Sequence, residues 1–419
     1  MRVFLDKSEV RGEVPAPPSK SYTIRALICA SLAKGESRLD NPLEADDTRA
    51  AREVLGGIGA SITENSGFWL VEGDNFHEPA RELFCYDSAA TLRFMLAVCC
   101  FVPGQCRLVP SPLLARRPIA PLIKALKDLG AGIREEGGAL VTSGRGLDGG
   151  LVEMAGDMSS QFISAILLVA PLARSSIQIS LNTPPQSKDY IRMTISTMAS
   201  FGVSVEASAD LREFRVFPQE YHPAHFKIEG DWSSASFLLA LGATSGRLKV
   251  TGLNLESLQA DRLMLDLLRQ MGARIDADGG VRVAKSELLA ISADLKDAID
   301  LLPPLGALAA LAKGESVFNG IGRARLKESD RVKALKENLG AIGIQTHLDT
   351  DRLFIKGGKP HQGVVKSFDD HRIAMAFSII GASKGGLFIE GAECVTKTYP
   401  DYWDIIKSLG VKLSEQPDR

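Results

Sequence analysis

Leu129-Gly130-Ala131-Gly132-Ile133 is one copy of a sequence motif that recurs through the chain. The motif consists of a hydrophobic residue, Gly, a small or apolar residue, any residue, and then usually an aliphatic residue. The glycines of successive copies of this motif are 71, 72, 70, 71 and 67 residues apart. Each closes an amphipathic helix, as in 121–129, and opens a strand, because Gly just after the last helical turn adopts the left-handed cap. The other five copies are centred on Gly59, Gly202, Gly272, Gly343 and Gly410.

A second sequence motif recurs at the same interval of about 70 residues. Leu-Ala-Lys-Gly-Glu-Ser occurs identically at 32–37 and 311–316, and similar turns follow apolar helices near Gly104, Arg174, Gly246 and Gly386. Each unit of about 70 residues therefore contains two helices and several short strands. Six such units are too many for one hydrophobic core, so we expect three units in each of two domains.

Each turn of this second motif follows a helix, and the residues 12 to 15 positions before the turn mark the start of that helix. Ser and Asp at several of these starts are ordinary N-caps, and capping is the alternative to a functional role there. Capping does not explain the cations Lys20, Arg117 and Arg372, since a cation at the positive end of a helix dipole costs about 0.3–1 kcal/mol unless an anion is present. We therefore expect the helix N-termini to bind anions. The starts are Lys20-Ser21, Ser88-Ala89, Ser159-Ser160-Gln161, Ser233-Ser234, Asp300 and His371-Arg372.

Composition excludes several classes of protein. The 419 residues include 49 Lys or Arg and 51 Asp or Glu, and this balance argues against a nucleic-acid partner. The apolar run 158–172 is interrupted by serines and predicts a buried helix, so no membrane association is expected. The six cysteines form no CxxC pair and the six histidines no HxxxH pair, which predicts neither a metal nor another cofactor. No signal peptide is recognisable, and we expect a cytoplasmic protein.

Compact polar motifs accompany the helix starts. In Pro18–Arg25, Ser21 and Arg25 lie four apart on one helical face, but the glycines of a P-loop are missing. Lys327-Glu328-Ser329-Asp330-Arg331 places a Lys and an Arg four apart. With 369–372 and 396–401 it makes three polar clusters in the last hundred residues. Singly, such clusters are typical of solvated surfaces, but together they favour a site.

Taken in order, these motifs resemble the 5-enolpyruvylshikimate-3-phosphate synthase family over about 14–401. The resemblance implies an α/β fold of two domains, each with three βαβαββ repeats around buried parallel helices. The expected domains are 1–14 plus 229–419, which includes the strand Arg2–Leu5, and 15–228. The motifs that carry the resemblance are Ser19-Lys20-Ser21, Arg117-Pro118-Ile119, Ser159–Phe162, Ser187–Tyr190, Lys327–Arg331, Asp370-His371-Arg372 and Lys397–Pro400.

The resemblance also implies the reaction: a monomeric enzyme transfers the enolpyruvyl group of phosphoenolpyruvate to the 5-hydroxyl of shikimate 3-phosphate. Each substrate carries a carboxylate and a phosphate, about −5 to −6 in total at roughly −1.5 to −2 per phosphate. Converging cations would repel one another without these anions, so we expect the domains to close on binding. The matched cations are Lys20, Arg25, Arg93, Arg117, Lys327, Arg331, Arg372 and Lys397.

Site residues follow from the same resemblance. Asp300 is the expected base for the 5-hydroxyl, with capping of the following helix as its alternative, and Glu328 or Lys20 serves the C3 proton. Shikimate 3-phosphate is expected at Lys20, Ser21, Arg25, Ser159, Ser160, Gln161, Ser187, Tyr190, Asp300 and Lys327. Phosphoenolpyruvate is expected at Lys20, Ala89, Arg93, Arg117, Gln161, Arg331, His371, Arg372 and Lys397.

Three positions depart from the family pattern. Ala89 replaces a common Gly and pushes a methyl group toward the phosphoenolpyruvate pocket, from which we expect lowered sensitivity to glyphosate. Asp87 replaces a common Asn, and Arg93 is its expected partner. Arg323 aligns with an Asn whose role is not carried over.

Two other functions were considered. The sister transferase that acts on UDP-N-acetylglucosamine usually has a Cys five residues before the Arg that matches Arg117, but Pro112 occupies that position and Cys106 is eleven residues away. A non-catalytic anion-binding relative would bind shikimate 3-phosphate without releasing phosphate from phosphoenolpyruvate. Asp300, Lys327, Glu328 and His371 are all present and argue against it.

Overall fold

A computed structural model describes residues 1–417 and divides the chain into two compact units. Pro18–Glu229 forms one of them, here called the inserted unit. Met1–Pro17 and Gly230–Arg419 form the other, here called the split unit. The last two residues of the expected 229–419 segment lie outside the described residues.

Within the described chain each unit contains three four-stranded sheets of one topology, in which the first two strands are parallel and the third and fourth are antiparallel to their neighbours. The sheets of the inserted unit are, in strand order, His225–Lys227, Gly35–Asp40, Phe68–Gly73, Ser61–Asn65; Leu83–Tyr86, Cys106–Pro110, Ala139–Thr142, Ile133–Glu136; and Gly150–Met154, Ile177–Leu181, Glu213–Val216, Glu206–Ala207. Those of the split unit are Val10–Pro15, Gly246–Thr251, Val281–Ala284, Arg274–Asp276; Ser292–Asp294, Glu315–Asn319, Arg352–Lys356, Thr346–Asp349; and Gly363–Lys366, Leu387–Glu390, Arg2–Leu5, Leu413–Gln416.

The first strand of the chain completes the sheet of the last repeat. Arg2–Leu5 lies antiparallel to both Leu387–Glu390 and Leu413–Gln416. Val3 and Leu5 are fully buried while their neighbours are part-exposed, which is the period-two pattern of a strand with one face on the core.

Twelve α-helices fall into two alternating kinds within residues 1–417. The odd-numbered helices are buried on nearly every side, because most of their residues are apolar or small on all faces, apart from cations such as Arg25 and Arg93. The even-numbered helices each keep a polar, solvent-facing side. In chain order they are α1 Lys20–Leu32, α2 Asp46–Gly57, α3 Ala89–Val98, α4 Ala120–Asp128, α5 Ser160–Val169, α6 Lys188–Ser200, α7 Trp232–Ser245, α8 Met264–Gln270, α9 Leu302–Leu311, α10 Arg331–Ala341, α11 His371–Lys384 and α12 Tyr402–Ser408.

The six repeated glycines have φ angles between +79° and +115° and follow the even-numbered helices, which confirms the predicted caps. At Gly59 a Cβ atom would lie 2.2 Å from the carbonyl oxygen of Asn75, so both conformation and space require Gly there. The strand that follows each glycine begins two to four residues later.

Short 3₁₀ turns precede or follow several helices: Leu114–Arg116, Ala170–Leu172, Ala260–Leu263, Ile299–Leu301, Gly322–Leu326 and Ala392–Lys397. One of them corrects the expectation that Arg117 lies at the start of the helix before Gly130. The helix begins at Ala120, and Arg117 has an extended backbone with ψ 141°. The cause is Pro118, whose ring disfavours the helical conformation in the preceding residue.

No helix in the described part of the chain is long and apolar enough to span a membrane.

Candidate active site

The N-termini of α9, α10 and α11 bring a group of charged residues together in the split unit. Asp300 lies in the 3₁₀ turn before α9, and its Oδ1 is 2.6 Å from Arg331 Nη1 and 3.0 Å from Lys327 Nζ. Its Oδ2 is 3.6 Å from Arg372 Nη2. The N-cap residues of α9 and of the 3₁₀ turn before it are Leu301 and Ala298, and neither makes a capping bond with its side chain.

Arg331, the first residue of α10, is fully buried and binds three carboxylates. Its guanidinium contacts Asp370 through Nε at 2.8 Å and Nη2 at 3.2 Å, and it contacts Glu328 through Nη2 at 2.7 Å. The bond to Asp300 completes the set. The planar guanidinium suits this arrangement because its donors point outward in fixed directions. Arg331 thus fixes the positions of Asp300, Glu328 and Asp370.

The proton affinities in this cluster follow from its charges. Burial alone would raise the pKa of Asp300, but Lys327, Arg372 and Arg331 outweigh it and hold that pKa well below its ordinary value. Burial would likewise lower the pKa of Arg331, and Asp370, Glu328 and Asp300 raise it instead. For Lys327, burial lowers the pKa and the attraction of Asp300 only partly offsets this. Asp300 is therefore ionised and able to accept a proton.

Asp370 is a site residue that the sequence analysis missed. It is fully buried, caps α11 through the backbone N–H of Arg372 at 3.0 Å, and accepts from Ser329 Oγ at 3.0 Å. The sequence did contain a signal for this residue, because a carboxylate directly before two basic residues at a helix start can form an ion pair with a cation there. His371 and Lys397, predicted for phosphoenolpyruvate, are both buried in the same unit; His371 Nδ1 is 3.8 Å from Asp370 Oδ1.

In the inserted unit Lys20, the first residue of α1, forms an ion pair with Asp47 of α2. Lys20 Nζ lies 2.8 Å from Asp47 Oδ2, and the Asp47 side chain is 5% exposed. Thr91 of α3 donates through its hydroxyl to the Asp47 carbonyl at 3.2 Å, so three helix starts meet here. Asp47 was also missed, because acidic residues in the first turn of a helix are ordinary and give no signal.

Arg93 links α3 to the start of α5. Its Nη1 donates to Gln161 Oε1 at 2.7 Å and its Nη2 to the carbonyl of Pro118 at 3.0 Å, while the guanidinium lies over the Phe162 ring. Arg93 is therefore in contact with the predicted residue Gln161 and with Pro118, which follows Arg117 in the chain. Ser159 caps α5 through the N–H of Gln161 at 3.3 Å, and Ser160 follows it, buried.

Arg25 connects α1 to α6. Its Nε donates to Thr194 Oγ1 at 2.7 Å, and its Nη atoms donate to the carbonyls of Ser21 and Tyr190 at 3.0 and 3.3 Å. Burial lowers the pKa of Arg25 to about 10. Ser187, just before α6, has the left-handed φ of 53° and makes no capping bond with its side chain. That conformation costs of order 1–3 kcal/mol in a non-Gly residue.

The structure contradicts the expected pair between Asp87 and Arg93. The Asp87 carboxylate accepts a short hydrogen bond from the Ser111 hydroxyl and is exposed, whereas Arg93 is turned toward Gln161 and Pro118. Ser111 follows the strand parallel to the one before Asp87, which places the hydroxyl beside it. Solvent at this position removes the need for a cation. Ala89, the other departure, is the first residue of α3 and is buried.

Arg323 lies in the 3₁₀ turn Gly322–Leu326 and donates to the carbonyl of Lys296.

No group of three or more His, Cys, Asp or Glu side chains within residues 1–417 is arranged to hold a metal ion. The charged side chains at the starts of α9, α10 and α11 and those at the starts of α1, α3, α5 and α6 form two arrays. They combine cations and backbone N–H groups at helix N-termini with, at Asp300, an ionised buried carboxylate. Such an arrangement can bind small polyanions and move a proton.

The chain is similar to known proteins over nearly its whole length. A family model described as EPSP synthase (3-phosphoshikimate 1-carboxyvinyltransferase) matches residues 5–406. A protein of Dehalococcoides mccartyi named 3-phosphoshikimate 1-carboxyvinyltransferase is 47% identical over 416 residues, 99% of each chain. One of the same name from Thermococcus kodakarensis is 39% identical over 406 residues, 96% of this chain and 98% of its own.

Solved structures share the fold. EPSP synthase from Acinetobacter baumannii matches with a TM-score of 0.82 at 24% identity, covering 99% of this chain and 100% of its own. The enolpyruvyl transferase NikO from Streptomyces tendae matches with a TM-score of 0.81 at 17% identity, covering 100% of this chain and 99% of its own. At these identities the likeness concerns architecture alone, and it confirms the predicted α/β fold.

Proposed function

The chain belongs to the EPSP synthase family, and we propose that the two arrays of side chains described above hold the two substrates of that reaction. The enzyme transfers the enolpyruvyl group of phosphoenolpyruvate to the 5-hydroxyl of shikimate 3-phosphate, which yields 5-enolpyruvylshikimate 3-phosphate and phosphate. This is a step of the shikimate pathway to chorismate and the aromatic amino acids. The predicted reaction is thus confirmed, and the roles of individual residues are proposals.

Shikimate 3-phosphate is assigned mainly to the inserted unit, with Asp300 and Lys327 at its hydroxyls. Support comes from the starts of α1, α5 and α6, where backbone N–H groups and hydroxyls accompany fixed cations. Arg25 holds Ser21 and Tyr190 through their carbonyls, so these residues act as one rigid group. The assigned set is Lys20, Ser21, Arg25, Ser159, Ser160, Gln161, Ser187, Tyr190, Asp300 and Lys327.

Phosphoenolpyruvate is assigned to cations of both units. Arg93 and Gln161 are held by one another, and Arg372 and Lys397 are buried near the start of α11 and in the turn before α12. Arg331 is committed to three carboxylates, so its contribution to anion binding is the positive field of a fixed, buried charge. The assigned set is Lys20, Ala89, Arg93, Arg117, Gln161, Arg331, His371, Arg372 and Lys397.

The bond changes define what the residues must do. The 5-hydroxyl oxygen attacks C2 of phosphoenolpyruvate as it loses its proton, while C3 gains a proton. The tetrahedral adduct then loses phosphate and a C3 proton. We assign the first proton to Asp300, which is ionised and bound by Lys327, Arg331 and Arg372. This contact set is the observation that carries the assignment.

Substrate binding makes Asp300 a stronger base. In the free enzyme three cations lower its proton affinity. Bound phosphate and carboxylate groups take over part of the attraction of Lys327 and Arg372, so the pKa of Asp300 rises toward its ordinary value when the base is needed. Two groups remain candidates for the C3 proton: Glu328, bonded to Arg331, and Lys20, bonded to Asp47.

Other parts of the proposal concern the whole molecule. We propose that the inserted and split units are the two domains of the family organisation, and that the enzyme works as a cytoplasmic monomer without cofactor, nucleic acid or membrane. The balanced charge supports the absence of a nucleic-acid partner.

Phosphate release on mixing both substrates, without added metal or nucleotide, tests the function directly. Asp300→Asn tests the base: turnover should fall about 10²–10⁴-fold with substrate binding retained. Asp294→Asn, the same change at an exposed residue of the preceding strand, is the matched control. Near-normal turnover of Asp300→Asn would show that another group takes the proton.

A further inference from the structure

An exposed row of arginines crosses one sheet of the split unit. Arg247 is paired with Arg11 on one side and with Ala284 on the other, and Ala284 is paired with Arg274 of an edge strand. Because residues directly opposite one another in a sheet point to the same face, these four residues form one line across four strands, here called the arginine row. The three arginines are exposed, whereas Leu248, which follows Arg247, is buried in the core. The row therefore lies on the outer face of the sheet.

The neighbouring row on the same face has balanced charges. Two residues further along the four strands, Asp276, Arg282, Lys249 and Glu13 are opposite one another, and they are here called the paired row. Arg282 Nη1 lies 3.0 Å from Asp276 Oδ2, and Lys249 Nζ lies 3.1 Å from Glu13 Oε2. Each cation of the paired row thus has a carboxylate, so the uncompensated charge of the arginine row is not a general property of this sheet.

Repulsion between the arginines is not relieved within the described chain. Arg11 and Arg247 are neighbours at the spacing of adjacent strands, about 4.8 Å, and like charges directly opposite one another destabilise a sheet. Neither forms an ion pair within residues 1–417. Arg274 donates through Nη2 to the carbonyl of Lys285 at 2.8 Å, which uses one of its five N–H groups. A bound anion is the partner that removes this repulsion.

The arginine row borders an open cleft with a volume of about 560 Å³. Lys7, Lys285 and Lys412 also line the cleft, so among the described residues its lining has six cations and one carboxylate, Glu9. The whole chain, by contrast, has 49 cations and 51 carboxylates. The wall opposite the row is fixed, because Ser8 Oγ accepts from the backbone N–H of Lys412 at 2.9 Å. The cleft is therefore a local concentration of positive charge on a nearly neutral protein.

Helix ends offer an alternative explanation for some of these cations. A cation near a helix C-terminus is favourable because it lies at the negative end of the dipole. This accounts for Arg247, which comes directly after the C-cap of α7, and for Lys384 in the last turn of α11. It does not account for three arginines that are in register with no carboxylate among them.

The cleft is distant from the charged cluster at the start of α11. The backbone N–H of Ser8, in the cleft wall, donates to the carbonyl of Ala382 near the end of α11 at 2.8 Å. Asp370 and Arg372 lie at the other end of that helix. At 1.5 Å per residue the 14 residues of α11 span about 21 Å. An anion in the cleft therefore cannot touch the cluster that contains Asp300.

We propose that the arginine row is a binding site for a small anion with two or more linked phosphate groups, separate from the site of enolpyruvyl transfer. A guanidinium group binds phosphate through paired N–H donors. Arg11 and Arg247 are one strand spacing apart, so a single phosphate reaches both. Arg274 is two strand spacings from Arg247, about 10 Å, and a chain of phosphates is needed to reach it across the small Ala284. Free oligophosphates and nucleotides share this chemistry.

The test is isothermal titration calorimetry of the full chain at 0.15 M ionic strength, without divalent metal, against inorganic phosphate, pyrophosphate and tripolyphosphate. Saturating shikimate 3-phosphate in cell and syringe occupies the phosphate-binding residues of the proposed active site. Affinity should rise along the series by about tenfold or more, because each further phosphate adds hydrogen bonds between charged groups. One tripolyphosphate should bind per chain.

Two variants with the same change of charge make the result specific. Arg247→Gln removes the middle of the arginine row and should weaken tripolyphosphate binding about tenfold or more. Arg282→Gln removes a cation of the paired row on the same face and should change it by less than about twofold. Both variants should keep kcat and both KM values. Arg274→Gln serves in place of Arg247→Gln if that variant does not fold, and it should also weaken binding.

A comparison of ATP with tripolyphosphate distinguishes the two sources. Tighter or equal binding of ATP identifies nucleotides as ligands, and much weaker binding of ATP identifies free oligophosphates; both results support the site. Equal weakening by Arg247→Gln and Arg282→Gln overturns the inference, since it shows a diffuse field and no defined site. Equal affinity for phosphate and tripolyphosphate also overturns it, as does tighter binding of a ten-nucleotide single-stranded DNA than of tripolyphosphate.

Discussion

Replacing Asp370 with Asn tests the buried network on which the split unit depends. Asp370 accepts from Arg331 through both carboxylate oxygens, from Ser329, and from the N–H of Arg372. Asn keeps an oxygen for the helix cap but loses the charge and the two-point contact with the fully buried Arg331. Breaking a buried ion pair costs about 3–5 kcal/mol, and we expect the lower end because Arg331 retains Asp300 and Glu328.

The assay is equilibrium unfolding in urea followed by far-UV circular dichroism. With a loss of about 3 kcal/mol and an m value of about 3 kcal/mol/M, the unfolding midpoint of the split unit should fall by about 1 M. Asp369→Asn is the matched control, because this neighbouring carboxylate is exposed and its left-handed φ of 56° suits Asn. Equal midpoints for the two variants would refute the reasoning that Asp370 anchors Arg331.

Three further predictions follow from the sites. Ala89→Gly removes a buried methyl group at the start of α3 and should lower the glyphosate concentration needed for half inhibition; superimposable inhibition titrations would contradict this. Burial raises the pKa of Asp261 to about 6, so its ionisation lowers the free energy of unfolding as the pH rises from about 4 to 6, and the loss persists at higher pH. Asp261→Asn should therefore raise the free energy of unfolding in urea by about 2–3 kcal/mol at pH 8 but not at pH 4. Lys20→Met and Asp47→Asn should each lower kcat/KM, and the double variant should lose less than the two losses combined, since the residues form one ion pair; additive losses would separate their roles.

The repeat architecture and the helix starts could be predicted because their signals are local. A glycine with positive φ ends the even-numbered helices at Gly59 and Gly130, and an apolar sequence such as 232–245 identifies a helix buried on every side. Each of these features depends on residues within a turn or two of one another. The backbone of Arg117 was the exception, because the extended conformation imposed by Pro118 outweighed the expected helix start.

The partners of the charged residues required the folded chain. Lys20 and Asp47 are 27 residues apart, Ser233 and Asp261 are 28 apart, and Arg331 and Asp370 are 39 apart. The order of motifs along the chain identifies which cations resemble those of a family. It does not show which carboxylate the folded chain places beside each one, whether from the next helix of the same repeat, as Asp47, or from the next repeat, as Asp370. Burial then decides the chemistry, because in a low-dielectric interior the same Asp is either a strongly ionised base, as at Asp300, or a carboxyl of raised pKa, as at Asp261.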